Sequence, residues 1–171
     1  MFRKMRRFKQ ELPKEDTAII FEKGSHGVLA VSGDECYPYA VPMSYVYTDG
    51  KLYFHGAKQG HKLDAIANSA KASFCVVAQD RVVPETFTTI FSSAIAFGQL
   101  HIIEDDDEKR EALRLFSQKY FSVNGKAKNE EEIEMDWSRV YVIALEIEHM
   151  SGKASMDIIK DRENLAPQKA E

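Results

Sequence analysis

The chain has 171 residues, of which 44% are hydrophobic and 29% charged, as expected for one domain with a sizeable core. Its formal net charge of −4 argues against a nucleic-acid-binding protein, which normally carries a broad basic face. The longest apolar runs are too short to cross a bilayer, and no apolar signal segment follows the basic start of the chain. We therefore expect a cytoplasmic protein without membrane contact.

The start of the chain carries a cluster of basic side chains: Arg3, Lys4, Arg6, Arg7 and Lys9. They form either a solvated arm or an arm that covers a second subunit or an anionic ligand. Further along, Cys36 and Cys75 lie far apart and match no metal or redox motif, so we expect reduced thiols.

The first half of the chain predicts one helix and three strands. The helix, at residues 13–23, is indicated by a proline in its first turn, by Glu15 and Asp16 at its positive end, and by Gly24 as its stop. Strands are predicted at 26–32, 39–47 and 51–55, and the Asp49-Gly50 pair is a strong hairpin signal between the last two. The strand at 39–47 alternates, and one of its faces carries Tyr39, Val41, Met43, Tyr45 and Tyr47.

Pro42 interrupts this strand. Proline lacks the N–H group that a sheet ladder needs, so Pro42 belongs either to a plain edge strand or to a bulge. A bulge there would leave room for a ligand to approach the backbone.

The second half predicts helices at 61–69, 105–121 and 130–137, strands at 72–78, 88–103 and 139–149, and a polar loop at 122–129. The acidic run at 105–108 is typical of a helix start, because it lacks the spacing and the glycine of a calcium loop. We expect one domain at 1–155, followed by a polar C-terminal tail at 156–171. About six strands with mostly hairpin connections predict a mainly β fold, a small antiparallel barrel with a few peripheral helices.

The loop within residues 53–63 has the strongest functional signal. It is bracketed by Gly56 and Gly60, and it opens into a helix at His61-Lys62. Backbone N–H groups, a helix N-terminus and ammonium groups together can bind a phosphate, although such a loop is often only a turn. The spacing differs from that of a P-loop. Ligand spacing also fails to support a metal site, so we expect no metal, despite the presence of His55, His61 and His101.

Two segments together indicate a planar cofactor. Through the Asp49-Gly50 hairpin, the interrupted strand would bring Pro42, Met43 and Ser44 beside His55 and Gly56, with Lys62 just beyond. An aromatic ring could lie along the strand while its phosphate contacts Lys62 and the amides near Gly60.

These segments resemble the flavin-binding split-barrel superfamily of pyridoxamine 5′-phosphate oxidase, and they are most similar to its nitroimidazole-resistance (Nim) branch. The resemblance extends from Met1 to Lys153. Its motifs are Gly27-Val-Leu-Ala30, Tyr37-Pro-Tyr-Ala-Val-Pro-Met-Ser-Tyr-Val-Tyr47, the loop from Tyr53 to Lys62, and Ser93-Ala-Ile-Ala-Phe-Gly98. It implies a six-stranded antiparallel Greek-key split β-barrel and a homodimer with FMN in two sites at the subunit interface.

The resemblance also implies roles for individual residues. Val41, Pro42, Met43 and Ser44 would meet the isoalloxazine ring through backbone groups. His55, Gly56 and Ala57 would lie by the ring and the ribityl chain, and Gly60, His61 and Lys62 by the phosphate. Ser92 and Ser93, with Lys153, would come from the partner subunit. His55 is the candidate catalytic residue, as proton donor or substrate contact.

The chain departs from the parent oxidase in two places. Gly60-His61-Lys62 replaces a Ser-Arg-Lys type of phosphate clamp, which makes FAD an alternative to FMN. The segment Ala166-Pro167-Gln168-Lys169 replaces an arginine-rich substrate end, which argues against oxidation of a phosphorylated vitamin.

The resemblance therefore favours a flavin-dependent reductase of a small acceptor such as a nitroaromatic compound, with NAD(P)H or another electron donor. Tyr39, Tyr45, Phe87 and Phe91 form either an apolar slot for a flat substrate or simply barrel core and dimer interface. A flavin-binding protein without turnover and a haem-binding split-barrel protein that uses His55 or His61 are the alternatives.

Overall fold

The computed structural model describes residues 2–165 as one curled antiparallel sheet of eight strands with five α-helices around it. The strands are β1 (Glu11–Leu12), β2 (His26–Ser32), β3 (Pro38–Ser44), β4 (Val46–Thr48), β5 (Lys51–Ala57), β6 (Lys71–Val83), β7 (Thr88–Ile102) and β8 (Val140–Ala154). The helices are α1 (Lys14–Lys23), α2 (His61–Asn68), α3 (Asp106–Tyr120), α4 (Lys126–Asp136) and α5 (Met156–Leu165). The mainly β antiparallel split-barrel class is confirmed, and the predicted segment at 166–169 lies outside the described residues.

The strand order explains how the sheet curls. Its hydrogen-bonded path runs β3-β2-β6-β7-β8-β5-β4, with β1 paired to β8. The two ends of this path, β3 and β4, are separated in the chain by Tyr45 alone. One bent segment therefore joins both edges of the sheet, which is how the barrel comes to be nearly closed.

The expectation of a single strand at 39–47 is wrong, because the chain bends at Tyr45. That side chain is fully buried, and its hydroxyl donates to the carbonyl of Phe21 at 2.7 Å. The bend gives the two halves different partners: Pro42 lies opposite Val28 on β2, and Thr48 lies opposite Lys51 on β5. The break of this strand and the extra two-residue β1 account for eight strands where six were expected.

The core has two parts, one on each side of the sheet. Inside the barrel pack Phe54, Phe74 and Leu145, all fully buried. On the outer face, α3 and α4 cover Val142 and Ala144, which are equally buried. The first half of β8 is thus apolar on both faces, whereas the sequence pattern predicted burial mainly on the face of Leu145.

Several boundaries follow the sequence pattern closely and others do not. The Asp105 side chain accepts a hydrogen bond from the Glu108 amide at 2.8 Å, which confirms the acidic run as a helix start. Helix α4 begins at Lys126 and not at 130, directly after Gly125 with its φ of 80°. Strand β6 continues to Val83, past the predicted end at 78, because its pairing with β7 extends beyond the core.

No helix within residues 2–165 is both long and apolar enough to span a membrane.

Candidate functional site

The loop between β5 and α2 is set up by two backbone features. The Asp49-Gly50 hairpin, with φ of 49° and 75° at its two central residues, leads the chain into β5 and confirms the turn prediction. At the other end of β5, Gly60 has a φ of 131°, a conformation that favours glycine, and α2 begins at the next residue. No side chain caps this helix start, so the first-turn amides of His61 and Lys62 have no intrahelical carbonyl to bind.

Lys62 lies over the end of the barrel, between β3 and β5. Its Nζ is 3.6 Å from the sulfur of Met43, and a side chain on Gly56 would place its first carbon 3.0 Å from the same nitrogen. Burial lowers the pKa of Lys62, since the surrounding protein disfavours the ammonium form. A thioether is a weak acceptor, so an anion at this position would be a better partner for the ammonium group.

His61 lies beside Lys62 in the first turn of α2. Its ring stacks on Tyr39 with centroids 4.1 Å apart. Its Nε2 is buried without a hydrogen-bond partner, and the closest acidic oxygen, on Asp34, is 3.4 Å away. Helix amides, an ammonium group and a buried ring nitrogen, all available for further bonding, fit the phosphate end of a nucleotide cofactor.

His55 is next to Gly56 on β5 but faces the outer side of the barrel. It lines an open cavity of about 380 Å³ that lies beneath α3 and α4, where its ring meets the edge of Phe116 at 4.5 Å. The pKa of His55 is lowered, first by burial against these helices and then by the charge of Lys62, while Asp136 acts in the opposite direction. A neutral imidazole has one hydrogen-bond donor and one acceptor, so it can donate to a polar group of a ligand or accept from it.

The structure brings together only part of the residue set that the sequence indicates. His55, Gly56, Ala57, Gly60, His61 and Lys62 surround the start of α2, with Met43 next to Lys62. Val41, Pro42 and Ser44 lie on the edge strand β3, which pairs with β2 and not with β5, so the hairpin does not bring 42–44 beside His55 and Gly56 by strand pairing. The bend at Tyr45 is the reason. Lys62 nevertheless lies against both Met43 and Gly56.

Ser92 and Ser93 lie on β7, which pairs with β6 and β8 and not with β3 or β5. On β8, His55 is opposite Val142 and Ser93 is opposite Lys153.

The proposed aromatic slot does not form within one chain. Tyr45 is core, Tyr39 stacks on His61, and Phe87 is 98% exposed at the far end of the β6–β7 hairpin. Phe91 lies 5.3 Å from the ammonium group of Lys153.

The side chains that do surround His55, from α3 and α4, were missed. A signal for them exists in the spacing of Lys128, Glu132 and Asp136, which places three charges on one helix face.

Comparison with solved structures shows the same fold in several proteins. One is a candidate 5-nitroimidazole antibiotic resistance protein from Bacteroides thetaiotaomicron, with 22% identity, a TM-score of 0.72, and coverage of 84% of this chain and 85% of that chain. A flavocytochrome from Azotobacter vinelandii has 20% identity and a TM-score of 0.71 over 89% of this chain and 72% of its own. An FAD- and haem-binding protein from Mycobacterium smegmatis has 22% identity and a TM-score of 0.69 over 90% and 80%.

Comparison with curated proteins finds no match. The family model described as pyridoxamine 5′-phosphate oxidase matches residues 13–154. This range includes the loop around Lys62 and every strand except β1. The chain therefore belongs to the pyridoxamine 5′-phosphate oxidase family.

Proposed function

We propose that this protein is a flavin-dependent oxidoreductase that binds FMN and reduces a small acceptor of the nitroaromatic type. The observation that carries the proposal is the position of Lys62. Its ammonium group lies at the uncapped start of α2, beside Gly56, which is the neighbour of His55 on β5. Within residues 2–165, its hydrogen-bond contact is the thioether of Met43. Family membership and the FAD- and haem-binding relatives support a redox cofactor at this place.

Each part of the loop has a distinct role in this proposal. Lys62, the amides of His61 and Lys62, and the His61 ring would hold the phosphate, and Gly56 leaves the approach to Lys62 open. When bound, the flavin supplies the electrons for reduction of the acceptor. His55 would bind and orient the acceptor and hold a proton on one of its ring nitrogens.

The active form would be a homodimer. Ser92 and Ser93 lie on β7, which is not a neighbour of β3 or β5 in the sheet. A second copy could place them, with Lys153, at the flavin. In this arrangement, the small-molecule acceptor and the electron donor NAD(P)H would reach a site shared by two subunits, and the protein would work in the cytoplasm.

An absorbance spectrum of the purified protein tests the cofactor. We expect flavin bands, with FMN and not FAD released on denaturation, and bleaching under anaerobic NAD(P)H that is reversed by a nitroaromatic acceptor. Released FAD would correct the cofactor and leave the reductase proposal standing. A protein that stays yellow under these conditions, a Soret band in place of flavin bands, or a colourless protein that binds no added flavin would each refute it.

A further inference from the structure

Helices α3 and α4 enclose a cavity that the flavin-binding loop does not use. The cavity has a volume of about 380 Å³, which is within the usual range of small-molecule sites, roughly 300–1,000 Å³. The apolar part of its wall comes from Leu113 and Phe116 on α3 and from Ile133 on α4. His55 and Val140 come from the sheet, and polar and charged side chains complete the lining.

Two aromatic rings form part of this surface. The Phe116 and His55 rings stand at 86° to each other with 4.5 Å between centroids, so a ligand ring bound beside them could make further aromatic contacts. An aromatic ligand prefers such edge and offset contacts, which add to the area that it buries.

The charged side chains of the cavity have an excess of negative charge. Lys128, Glu132 and Asp136 are spaced four residues apart along α4, and all three line the cavity. Arg139 approaches Asp136 at 3.5 Å, but its side chain is 77% exposed, so solvent screens that pair. Lys62 acts on His55 from the opposite side. An anionic ligand would therefore meet two carboxylates and one ammonium group within the cavity itself.

We propose that this cavity is the acceptor site, and that it takes a single flat aromatic ring that is uncharged or cationic and rejects the anionic analogue. This inference rests on the proposed function, because it names the substrate class of the same site. His55 connects the cavity to the proposed phosphate site, because it lines the cavity and its neighbour Gly56 borders Lys62.

Three probes of nearly equal shape test the selectivity: 4-nitrobenzylamine, 4-nitrobenzyl alcohol and 4-nitrobenzoate. Binding to the oxidised holoprotein is measured at pH 7 by equilibrium dialysis, so no turnover is needed. We expect the amine and the alcohol to bind at least about tenfold more tightly than the benzoate, since one unit charge near two carboxylates is worth more than 1.4 kcal/mol in a partly buried site. Glu132→Gln should reduce that discrimination.

A cavity-filling variant tests the location. The Ser117 hydroxyl donates to the Leu113 carbonyl, one turn back in its own helix, so Ser117→Leu fills the cavity at little cost to α3. The adjacent Gln118 is exposed and outside the cavity, and Gln118→Leu is the matched control. We expect Ser117→Leu to lose probe binding and keep its flavin, and Gln118→Leu to keep both.

Three results would overturn the inference: equal binding of all three probes, unchanged binding in Ser117→Leu, or loss of flavin in Ser117→Leu, which would make the cavity part of the cofactor site.

Failure of the proposed function gives a different result. The probes would then bind with the expected order and respond to Ser117→Leu, but no flavin-dependent reduction would follow. Quenching of Trp137, the single tryptophan of the chain and the neighbour of Asp136, provides an independent measure of cavity binding in protein freed of flavin.

Discussion

At the scale of single residues, the proposed flavin site makes Lys62 the group on which flavin retention should depend. Its ammonium is partly desolvated without an acidic partner among the contacts described above, so a bound phosphate would replace a weak sulfur contact by a charge-assisted one. We expect Lys62→Ala to raise the dissociation constant of FMN by about 10- to 100-fold. Fluorescence titration of deflavinated protein measures this. Lys58→Ala, at an exposed lysine over the Tyr141 ring, is the control, and equal affinities in both variants would remove Lys62 from the phosphate site.

His55 gives the protein a pH dependence of defined sign. Its pKa is lowered in the folded chain from the ordinary 6.5 because burial disfavours the imidazolium, so below pH 6.5 the unfolded chain binds more protons at this group. Its stabilising contribution is therefore complete above pH 6.5 and is lost as the pH falls towards the lowered value. Denaturant unfolding at pH 7.5 and 5.5 should show a smaller acid-induced loss of stability in His55→Gln than in the wild type. His26→Gln, at a histidine of β2 outside the cavity, is the matched substitution.

At the scale of elements, the C-terminal turn of α3 holds the break between β3 and β4. The Tyr120 hydroxyl accepts from the Tyr45 amide at 3.1 Å and lies 2.7 Å from the Tyr45 carbonyl, so it bonds the backbone at the bend. Lys119 also donates to this carbonyl, at 3.1 Å. The two helix residues replace the ladder bonds that the bend removes, and they tie α3, and with it the cavity wall, to the edge of the barrel.

Tyr120→Phe should therefore destabilise the fold more than removal of an ordinary tyrosine hydroxyl. It leaves the Tyr45 amide in a part-buried position without its partner, which costs about 1–3 kcal/mol. Denaturant unfolding measures the loss, and Tyr141→Phe is the control at a residue whose ring lies under Lys58. If the two variants were equally stable, the Tyr120 hydroxyl would not be a group that holds the bend.

The elements that can be predicted from the sequence are those whose signals are local. The strand at 26–32, helix α2 and the Asp49-Gly50 hairpin were predicted correctly because their signals are local: alternation, a glycine before a helix start, and a turn pair that accepts positive φ. The bend at Tyr45 was missed because its cause lies in distant residues, Phe21 inside the barrel and Tyr120 on α3. For the same reason, the loop around Lys62 could be found from sequence, whereas the cavity over His55 needed the packing of α3 and α4.

At the scale of the whole molecule, the β6–β7 hairpin extends beyond the core and ends in an unusual residue. Phe87 is 98% exposed and has a φ of 53°, a left-handed conformation that is unfavourable for a bulky side chain. Val77 and Val82 on β6 add exposed apolar surface to the same hairpin, at 63% and 66%. A second copy of the chain that covered this hairpin would give its apolar side chains a partner and bring Ser92 and Ser93, on β7, towards the flavin of the other subunit.

Phe87→Gly tests this assembly without harming the fold, because glycine accepts a positive φ and relieves the strain at the tip. We expect the variant monomer to be as stable as the wild type or slightly more stable. Its dimer should dissociate at about tenfold higher protein concentration in sedimentation experiments, through loss of one buried aromatic contact. Flavin affinity should fall in parallel when measured on dilution, since the partner would complete the site in the proposed dimer. Val123→Gly, at a residue that is 94% exposed but lies between α3 and α4, should change neither quantity. A Phe87→Gly protein that stays dimeric would show that the subunits meet elsewhere, and a monomer that retained full flavin affinity would show that each site is complete within one chain.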